Sequence, residues 1–253
     1  MDQQQLVNTQ FGYMAQNYLT SPVHAQGADL EKLSGLVSQL HPSRILDIGC
    51  GAGHASFAMA AKGAISVVAY DLSRPMLEIV AKEARTRKLD QITTQQGPVE
   101  QLPFSDASFD LVVTRFSAHH WLGINKALTE IARVSAPGST FVVIDVVAPE
   151  IPLHDTVLQA VELLRDTSHV RDYRISEWKR MLSESGFTIA HCAQWKLPME
   201  FSSWVTRIGT APGRVEALHT VFSQLPQEAI DYFALTQDHS FEIDSAWIQS
   251  SRL

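Results

Sequence analysis

The chain has 253 residues, of which 45% are hydrophobic and 19% are charged, and its formal net charge is −7. This size and composition can supply a substantial buried core and are typical of one α/β domain. The negative charge, together with the lack of a lysine or arginine cluster, argues against nucleic acid as a partner.

The cysteines and the apolar runs indicate the cellular compartment of the protein. Cys50 and Cys192 are the only cysteines, and their spacing fits neither a metal site nor a redox pair. The start of the sequence is polar, and no apolar run approaches the roughly 20 residues of a membrane-spanning helix. We therefore expect a cytoplasmic protein with no integral membrane segment and no metal site, and the sequence leaves the oligomeric state open.

Strands and helices alternate regularly between residues 41 and 150, which predicts a mostly parallel sheet. Pro75 follows Ser73 at the start of one helix, and the pair Pro137-Gly138 is expected to end another. The predicted strands lie near 44–48, 65–70, 91–96, 109–114 and 139–147, and the predicted helices near 54–62, 74–87 and 125–135.

After residue 150 longer helical segments indicate insertions around two late strands. The insertions are predicted at 153–172 and 201–235, with a helix at 176–185, a sixth strand at 187–197 and a seventh, antiparallel strand at 241–249. No segment has the composition of a flexible linker, so we expect one domain over residues 1–253. Its expected parts are an N-terminal helical part (1–40), a core (41–150) and a C-terminal part with the insertions (151–253).

A glycine loop follows the first predicted strand. Gly49, Gly51 and Gly53 alternate where the strand turns into a helix, and they let a ligand approach the backbone closely. Asp71 ends the second predicted strand, where a carboxylate can accept hydrogen bonds from both hydroxyls of a ribose. One predicted helix separates the loop from the acid, which is typical of a nucleoside site; a plain tight turn is the alternative interpretation.

The spacing of the glycines distinguishes two classes of nucleoside ligand. Dinucleotide sites use G-x-G-x-x-G, but His54 stands where the last glycine of that pattern belongs. S-adenosylmethionine has an adenosine, a sulfonium and an amino acid end but no phosphates, so it needs no anion-binding helix terminus. The spacing therefore favours S-adenosylmethionine.

Two later segments extend this pattern into a family resemblance. Residues 97–114 and 136–144 are similar in order and spacing to later motifs of the class I S-adenosylmethionine-dependent methyltransferases. With residues 47–53 and Asp71, they resemble the small-molecule and quinone-methylating branch (methyltransferase type 11-like). The resemblance implies a Rossmann-like, doubly wound, seven-stranded sheet, mostly parallel with an antiparallel last strand, and helical insertions over the active site.

The resemblance also implies roles for residues at the carboxyl ends of the strands. Asp71 receives the ribose hydroxyls, Leu72 lies against adenine, and Asp47 either approaches the methionine amino group or is purely structural. Similar enzymes carry an acid where Pro98 stands. The backbone N–H of Val99 is therefore expected to hydrogen-bond to the adenine, Glu100 or water is the candidate replacement for the missing acceptor, and binding is expected to be weaker. The implied cofactor-binding residues are Tyr18, Asp47, Gly49, Cys50, Gly51, Gly53, Asp71, Leu72, Pro98, Val99, Arg115 and Phe116.

The segment 11–18 resembles the F-x-x-x-A-x-x-Y lead helix of small-molecule methyltransferases. This resemblance implies that the N-terminal helical part is a lid. Tyr13 or Tyr18 is then expected to close over the methionine end and exclude water. Packing into the core is the alternative for either tyrosine.

His119 and His120 follow the fourth strand and are the candidate catalytic residues. Methyl transfer needs a general base only if the acceptor must lose a proton, and a histidine pKa of about 6.5 suits that step near neutral pH. Adjacent side chains of an extended chain point opposite ways, so only one ring is expected to face the pocket. Hydrogen bonds that shape the loop are the alternative, and paired metal ligation is disfavoured because no further ligand lies nearby in the sequence.

We expect a small, apolar or aromatic acceptor that is methylated on oxygen or carbon, leaving S-adenosylhomocysteine; nitrogen acceptors stay open. Two other hypotheses are a protein that binds S-adenosylmethionine or S-adenosylhomocysteine without methyl transfer and a nicotinamide-dependent dehydrogenase, which His54 disfavours. Candidate walls of an apolar acceptor pocket are Trp178, Trp195, Phe201 and Trp204. Candidate anchors for an acidic acceptor are Arg165, Arg171, Arg174 and Arg207.

Overall fold

The computed structural model describes the backbone of residues 2–20 and 27–253, and the side chains of residues 2–11 and 27–253. None of the described helices combines the length and apolar character that crossing a membrane requires. The strands are β1 (Arg44–Ile48), β2 (Ser66–Asp71), β3 (Ile92–Gln96), β4 (Phe109–Arg115), β5 (Ser135–Val146), β6 (Phe187–Met199) and β7 (Phe241–Arg252). The helices are α1 (Gln3–Thr20), α2 (Ala28–Leu40), α3 (His54–Ala60), α4 (Arg74–Thr86), α5 (Ile124–Val134), α6 (Pro152–Arg165), α7 (Ile175–Glu184), α8 (Phe201–Ile208), α9 (Pro212–Phe222) and α10 (Gln227–Tyr232).

These strands form one seven-stranded sheet in the order β3-β2-β1-β4-β5-β7-β6 within the described chain. The strands from β3 to β5 are parallel to their neighbours, whereas β7 runs antiparallel between β5 and β6. The chain moves outward from β1 in one direction and from β4 in the other, so the order reverses between these two strands. The predicted fold class is confirmed, and a doubly wound sheet binds its ligands beyond the carboxyl ends at this reversal.

The central strands are buried on both faces. Ile45 and Leu111 belong to a buried cluster with side chains of α2 and α3, whereas Leu46 and Val112 belong to a cluster with side chains of α5 and α7. Successive residues of a strand point to opposite faces, so neighbouring apolar residues serve the two layers of helices. This packing fixes the strand ends from which the loops of the site extend.

The region around Pro137 and Gly138 differs from its prediction. Helix α5 ends at Val134, and Ser135 already pairs with Phe109 of β4, so the strand begins earlier than predicted. The register then shifts before Leu111 pairs with Thr140. Proline has no N–H to donate to a ladder and is tolerated at such irregularities. The Pro137-Gly138 pair therefore lies within β5, where its register with β4 shifts, and does not end the helix.

The predicted helical insertion at 201–235 consists of α8, α9 and α10. Gly209 ends α8 in a left-handed conformation, with φ of 70°, and Pro212 begins α9. Side chains of these helices and of α6 form a buried cluster that includes Trp204, Phe222 and Val146, the last residue of β5. The insertions thus build a wall beside the carboxyl end of the sheet.

Candidate active site

A pocket lies at the carboxyl ends of β1, β2 and β4, where the strand order reverses. The loops that follow these strands form its floor, and side chains of α1 form one wall. The predicted cofactor residues that line it are Asp47, Gly49, Cys50, Gly51, Asp71, Leu72, Pro98, Val99, Arg115 and Phe116.

Helix α1 contributes Phe11, the first residue of the predicted lead-helix segment, and two residues that the sequence analysis did not single out, Gln3 and Val7. Gln3, Val7 and Phe11 line the pocket and recur at four-residue spacing, which places them on one helical face. The side chains of Tyr13 and Tyr18 lie outside the described residues, as does the predicted contact of Tyr18 with the cofactor. In the sequence, the four-residue spacing of Val7 and Phe11 is the feature that indicates which side of α1 faces the pocket.

Gly53 was predicted to bind the cofactor, but it does not line the pocket. Its φ is 88°, and a Cβ atom there would lie 2.9 Å from both Phe57 Cζ and Val80 Cγ2. These side chains belong to α3 and α4, respectively. The missing side chain therefore permits close packing of two helices rather than contact with a ligand.

This packing makes the Gly53→Ala variant informative. We expect a loss of roughly 2–5 kcal/mol in the free energy of unfolding, because left-handed strain of about 1–2 kcal/mol adds to overpacking of about 1–3 kcal/mol. Gly63→Ala is the matched control, since Gly63 has a φ of 92° but no atom within 4 Å of the added Cβ. Urea unfolding measures both variants, and equal losses would show that packing at Gly53 contributes nothing.

Backbone and side-chain hydrogen bonds tie the glycine loop to β2. The N–H groups of Gly49 and Cys50 donate to the Tyr70 carbonyl at 2.8 and 3.1 Å. Gly51 N–H donates to Asp71 Oδ2 at 2.8 Å, and Ser73 N–H donates to Asp71 Oδ1 at 2.7 Å. A carboxylate oxygen can accept two hydrogen bonds, so each oxygen of Asp71 retains capacity for a ligand hydroxyl.

Asp47 is a buried acid in the floor of the pocket. Its Oδ2 accepts a hydrogen bond from Ser56 Oγ at 2.6 Å, and its Oδ1 is buried with no hydrogen-bond partner among the described residues. Burial raises the pKa of Asp47 to about 6. Buried polar atoms in folded proteins normally have partners, so Asp47 Oδ1 is suited to a ligand that donates a hydrogen bond.

Polar groups around Pro98 form hydrogen bonds with other residues of the protein. Tyr70 Oη donates to the Pro98 carbonyl at 3.0 Å, and the Gly123 N–H donates to Glu100 Oε1 at 3.2 Å. Glu100 lines the pocket beside Val99. Of the two Glu100 carboxylate oxygens, Oε1 is therefore engaged by the Gly123 N–H.

Arg115 forms an ion pair that the sequence analysis missed. Its guanidinium donates to the carboxylate of Asp29 at the start of α2, and both side chains are almost completely buried. The guanidinium also lies over the ring of Phe116, 4.7 Å from its centroid. Phe116 has a left-handed φ of 50°, a strained conformation that is common at functional sites. This ion pair anchors the end of β4 beside the pocket.

His119 and His120 lie on a short 3₁₀ turn, Ala118–His120, and not on extended chain. Their rings are side by side, with centroids 4.2 Å apart, so the expectation that they point opposite ways is wrong. His120 lines the cofactor pocket, whereas His119 does not. Both rings line a second chamber next to that pocket.

His119 is held by Asp145. Its Nδ1 lies 2.6 Å from Asp145 Oδ1, and the Ala118 and Val146 N–H groups donate to the same carboxylate. Burial lowers the pKa of His119, but its attraction to and hydrogen bond with Asp145 outweigh burial and raise that pKa to about 9. The ring is therefore mainly the imidazolium at neutral pH, which favours His120 over His119 as the candidate base.

His120 has the opposite protonation state. Burial and the neighbouring His119 lower its pKa to about 4, so the ring is neutral near pH 7. Its Nδ1 lies 3.1 Å from the Ser168 carbonyl oxygen. Because a carbonyl oxygen only accepts, Nδ1 carries the proton and Nε2 carries the lone pair. His120 Nε2 is consequently able to accept a proton.

The second chamber shares Phe11, Phe116 and His120 with the cofactor pocket. Of the predicted acceptor residues, Trp204, Arg165 and Arg207 line this chamber, and the others do not. Its apolar wall consists of Val146, Leu197, Met199, Trp204 and Ile243. Its polar wall consists of His119, Glu162, Arg165, Asp166, Asp172 and Arg207.

The predicted acceptor residues outside the chamber have structural contacts. Trp178 and Phe201 are buried in apolar clusters, and Trp195 packs against another cluster. Arg171 and Arg174 form ion pairs with acidic side chains of α6 and α7. These residues therefore stabilise the C-terminal part and do not contact an acceptor in the chamber.

Comparison with known proteins identifies the family. Residues 46–143 match the family described as Methyltransferase domain. The chain is 34% identical over 228 residues to the uncharacterized methyltransferase YcgJ of Bacillus subtilis, covering 90% of each protein. The chain belongs to the class I S-adenosylmethionine-dependent methyltransferases. The crystal structure of YcgJ matches this methyltransferase with a TM-score of 0.80 at 33% identity, over 88% of this chain and 98% of that one.

Two further relatives match this methyltransferase over different fractions of its length. It is 44% identical over 193 residues to the uncharacterized protein YafE of Escherichia coli, covering 76% of this chain and 93% of YafE. It is 36% identical over 129 residues to a demethylmenaquinone methyltransferase of Clavibacter sepedonicus, covering 49% of this chain and 51% of that enzyme. The quinone-methylating relative matches over only about half of the chain.

Proposed function

We propose that this protein transfers a methyl group from S-adenosylmethionine to oxygen or carbon of a small, apolar or aromatic acceptor. The observation that carries the proposal is the junction at His120, whose neutral ring borders both the cofactor pocket and the second chamber. A protein that only binds the cofactor needs no such second chamber. Transfer between two small molecules needs both, with their reacting atoms close together.

The residues of the first pocket fit S-adenosylmethionine. The free capacity of the Asp71 carboxylate suits the two ribose hydroxyls, and Leu72 and Val99 offer apolar surface to the adenine. The unpartnered Asp47 Oδ1 suits the donor groups of the methionine end. The bound cofactor supplies a methyl group on a sulfonium sulfur. We propose Tyr18, through its place on α1, as a further contact.

His120 is the proposed general base. Its ring borders both cavities, and its Nε2 carries the lone pair, so that nitrogen can accept a proton from an acceptor hydroxyl. His119 then acts as a positioning residue, because the imidazolium beside His120 keeps the latter neutral. Phe11 and Phe116 border both cavities and exclude water from their junction.

Thermal unfolding with separate ligands tests the cofactor assignment. At 100 times its dissociation constant a ligand stabilises the fold by about 2.7 kcal/mol, which at about 2–4 °C per kcal/mol is a shift of roughly 5–10 °C. We expect this shift with S-adenosylmethionine and S-adenosylhomocysteine and none with NAD. A shift with NAD alone would contradict the assignment.

Incorporation of labelled methyl groups from S-adenosylmethionine into a metabolite extract tests transfer itself. We expect one or more small labelled products with the wild-type protein and none after heat inactivation. Binding of S-adenosylhomocysteine without labelled product in extracts that support a control methyltransferase would indicate a cofactor-binding protein that does not transfer methyl groups.

A further inference from the structure

The polar wall of the second chamber contains a buried acceptor atom without a hydrogen bond. Asp166 is 1% exposed, and its Oδ1 accepts hydrogen bonds from Ser168 N–H at 2.8 Å and Ser168 Oγ–H at 2.7 Å. Its Oδ2 is buried and has no hydrogen-bond partner among the described residues. Two donors on Oδ1 favour the ionised carboxylate, so Oδ2 is an acceptor that lacks a donor.

A second acceptor faces this atom. His120 Nε2 lies 3.9 Å from Asp166 Oδ2, which is beyond hydrogen-bond distance. The hydrogen bond from Nδ1 to the Ser168 carbonyl leaves the lone pair on Nε2. A hydroxyl oxygen placed about 2.8 Å from each of these two acceptors can donate its single proton to one of them at a time.

The surroundings select the kind of donor. Leu197, Met199 and Trp204 form an apolar wall that suits an apolar body. The polar wall has three acidic side chains, Glu162, Asp166 and Asp172, and three basic ones, His119, Arg165 and Arg207, so neither sign of charge dominates it. The carboxylate of Asp166 opposes an acceptor that carries a carboxylate of its own. A neutral hydroxyl meets all three conditions.

Arg165 does not provide an anchor for an anionic acceptor. Its Nε donates to the Trp204 carbonyl at 3.0 Å, and its Nη1 lies 3.4 Å from Glu162 Oε2. Since Arg165 lies on α6 and Trp204 on α8, the guanidinium stabilises the packing of these two helices. These contacts make Arg165 a structural residue rather than an anchor for an acidic acceptor.

We propose that the second chamber binds a hydroxyl-bearing acceptor whose O–H lies between Asp166 Oδ2 and His120 Nε2, with its apolar body against Leu197, Met199 and Trp204. The inference rests on the proposed function, since it places the acceptor's acidic proton at the proposed base. Asp166 is then a substrate-binding residue that selects phenols, enols or alcohols over carboxylates.

Small aromatic probes test this inference without the natural acceptor. Phenol, toluene and benzoate share one ring and differ in the single group that would occupy the site. With the protein saturated by S-adenosylhomocysteine, NMR titration should show phenol binding roughly 10- to 100-fold more tightly than toluene, from one hydrogen bond to a charged acceptor. Benzoate is expected to bind most weakly of the three.

Asp166→Asn should reduce the preference for phenol over toluene, because only the uncharged His120 Nε2 is left as an acceptor, while leaving S-adenosylhomocysteine affinity unchanged. Its amide oxygen can keep the Ser168 hydrogen bonds, which places the amide NH₂ where Oδ2 now lies. Asp90→Asn, at an exposed carboxylate before β3, is the matched control and should keep the preference. An unchanged preference in Asp166→Asn would overturn the inference.

A second measurement needs no variant at Asp166. Nitrogen-15 NMR of the His120 ring should show Nδ1 protonated and Nε2 unprotonated at pH 7, and phenol but not toluene should shift the Nε2 resonance. A protonated Nε2, or no response to phenol, would refute the placement. Loss of S-adenosylhomocysteine binding would instead refute the proposed function, so the two failures are distinguishable.

Discussion

Replacing Asp71 with alanine is expected to weaken S-adenosylhomocysteine binding by roughly 100-fold or more. The proposed ribose hydroxyls would each lose a hydrogen bond to a charged acceptor, and such bonds contribute about 1.5–3 kcal/mol each. The same carboxylate also accepts the Gly51 and Ser73 N–H groups, so the variant loosens the glycine loop as well. Isothermal titration calorimetry measures the change in affinity.

Two further variants separate the direct contact from the loop. Asp71→Asn keeps one carbonyl oxygen for a backbone N–H group and should bind S-adenosylhomocysteine more tightly than Asp71→Ala but more weakly than wild type. Asp106→Ala removes an exposed carboxylate that pairs with Arg133 and should leave affinity unchanged. Wild-type affinity in Asp71→Ala, with the fold intact by circular dichroism, would refute the assignment of the cofactor site.

The free energy of unfolding is expected to fall by roughly 3 kcal/mol as the pH rises from about 6.5 through about 9. Asp145 raises the pKa of His119 to about 9 in the folded state, against about 6.5 when unfolded. A raised folded pKa contributes stability that is fully present below the unfolded pKa and is lost as the pH rises through the folded one. Urea unfolding at several pH values measures this slope.

His119→Gln is the control for this pH dependence, because glutamine has no charge to lose. The difference in stability between wild type and His119→Gln should shrink as the pH rises from about 6.5 to about 9. Parallel curves for the two proteins would contradict a protonated His119 paired with Asp145. A direct NMR titration of the His119 ring should give a pKa of about 9.

The sequence by itself determined the architecture and most of the residues that line the pocket at the strand-order reversal. Strand and helix periodicity is local, so the elements from β1 to β5 followed from short windows of sequence. The alternating glycines and Asp71 lie on one strand–helix–strand unit, and their proximity follows from that topology. The lining of the pocket by Gly49, Gly51 and Asp71 needs no information from distant segments.

Only the tertiary structure decided the environments of the two candidate histidines. His119 meets Asp145 across 26 residues, and His120 meets Ser168 across 48 residues. These contacts set opposite protonation states on two adjacent and chemically identical side chains, because burial and neighbouring charges determine a pKa. The role of Gly53 and the ion pair of Arg115 likewise depend on packing between separate elements, which no local pattern of residues encodes.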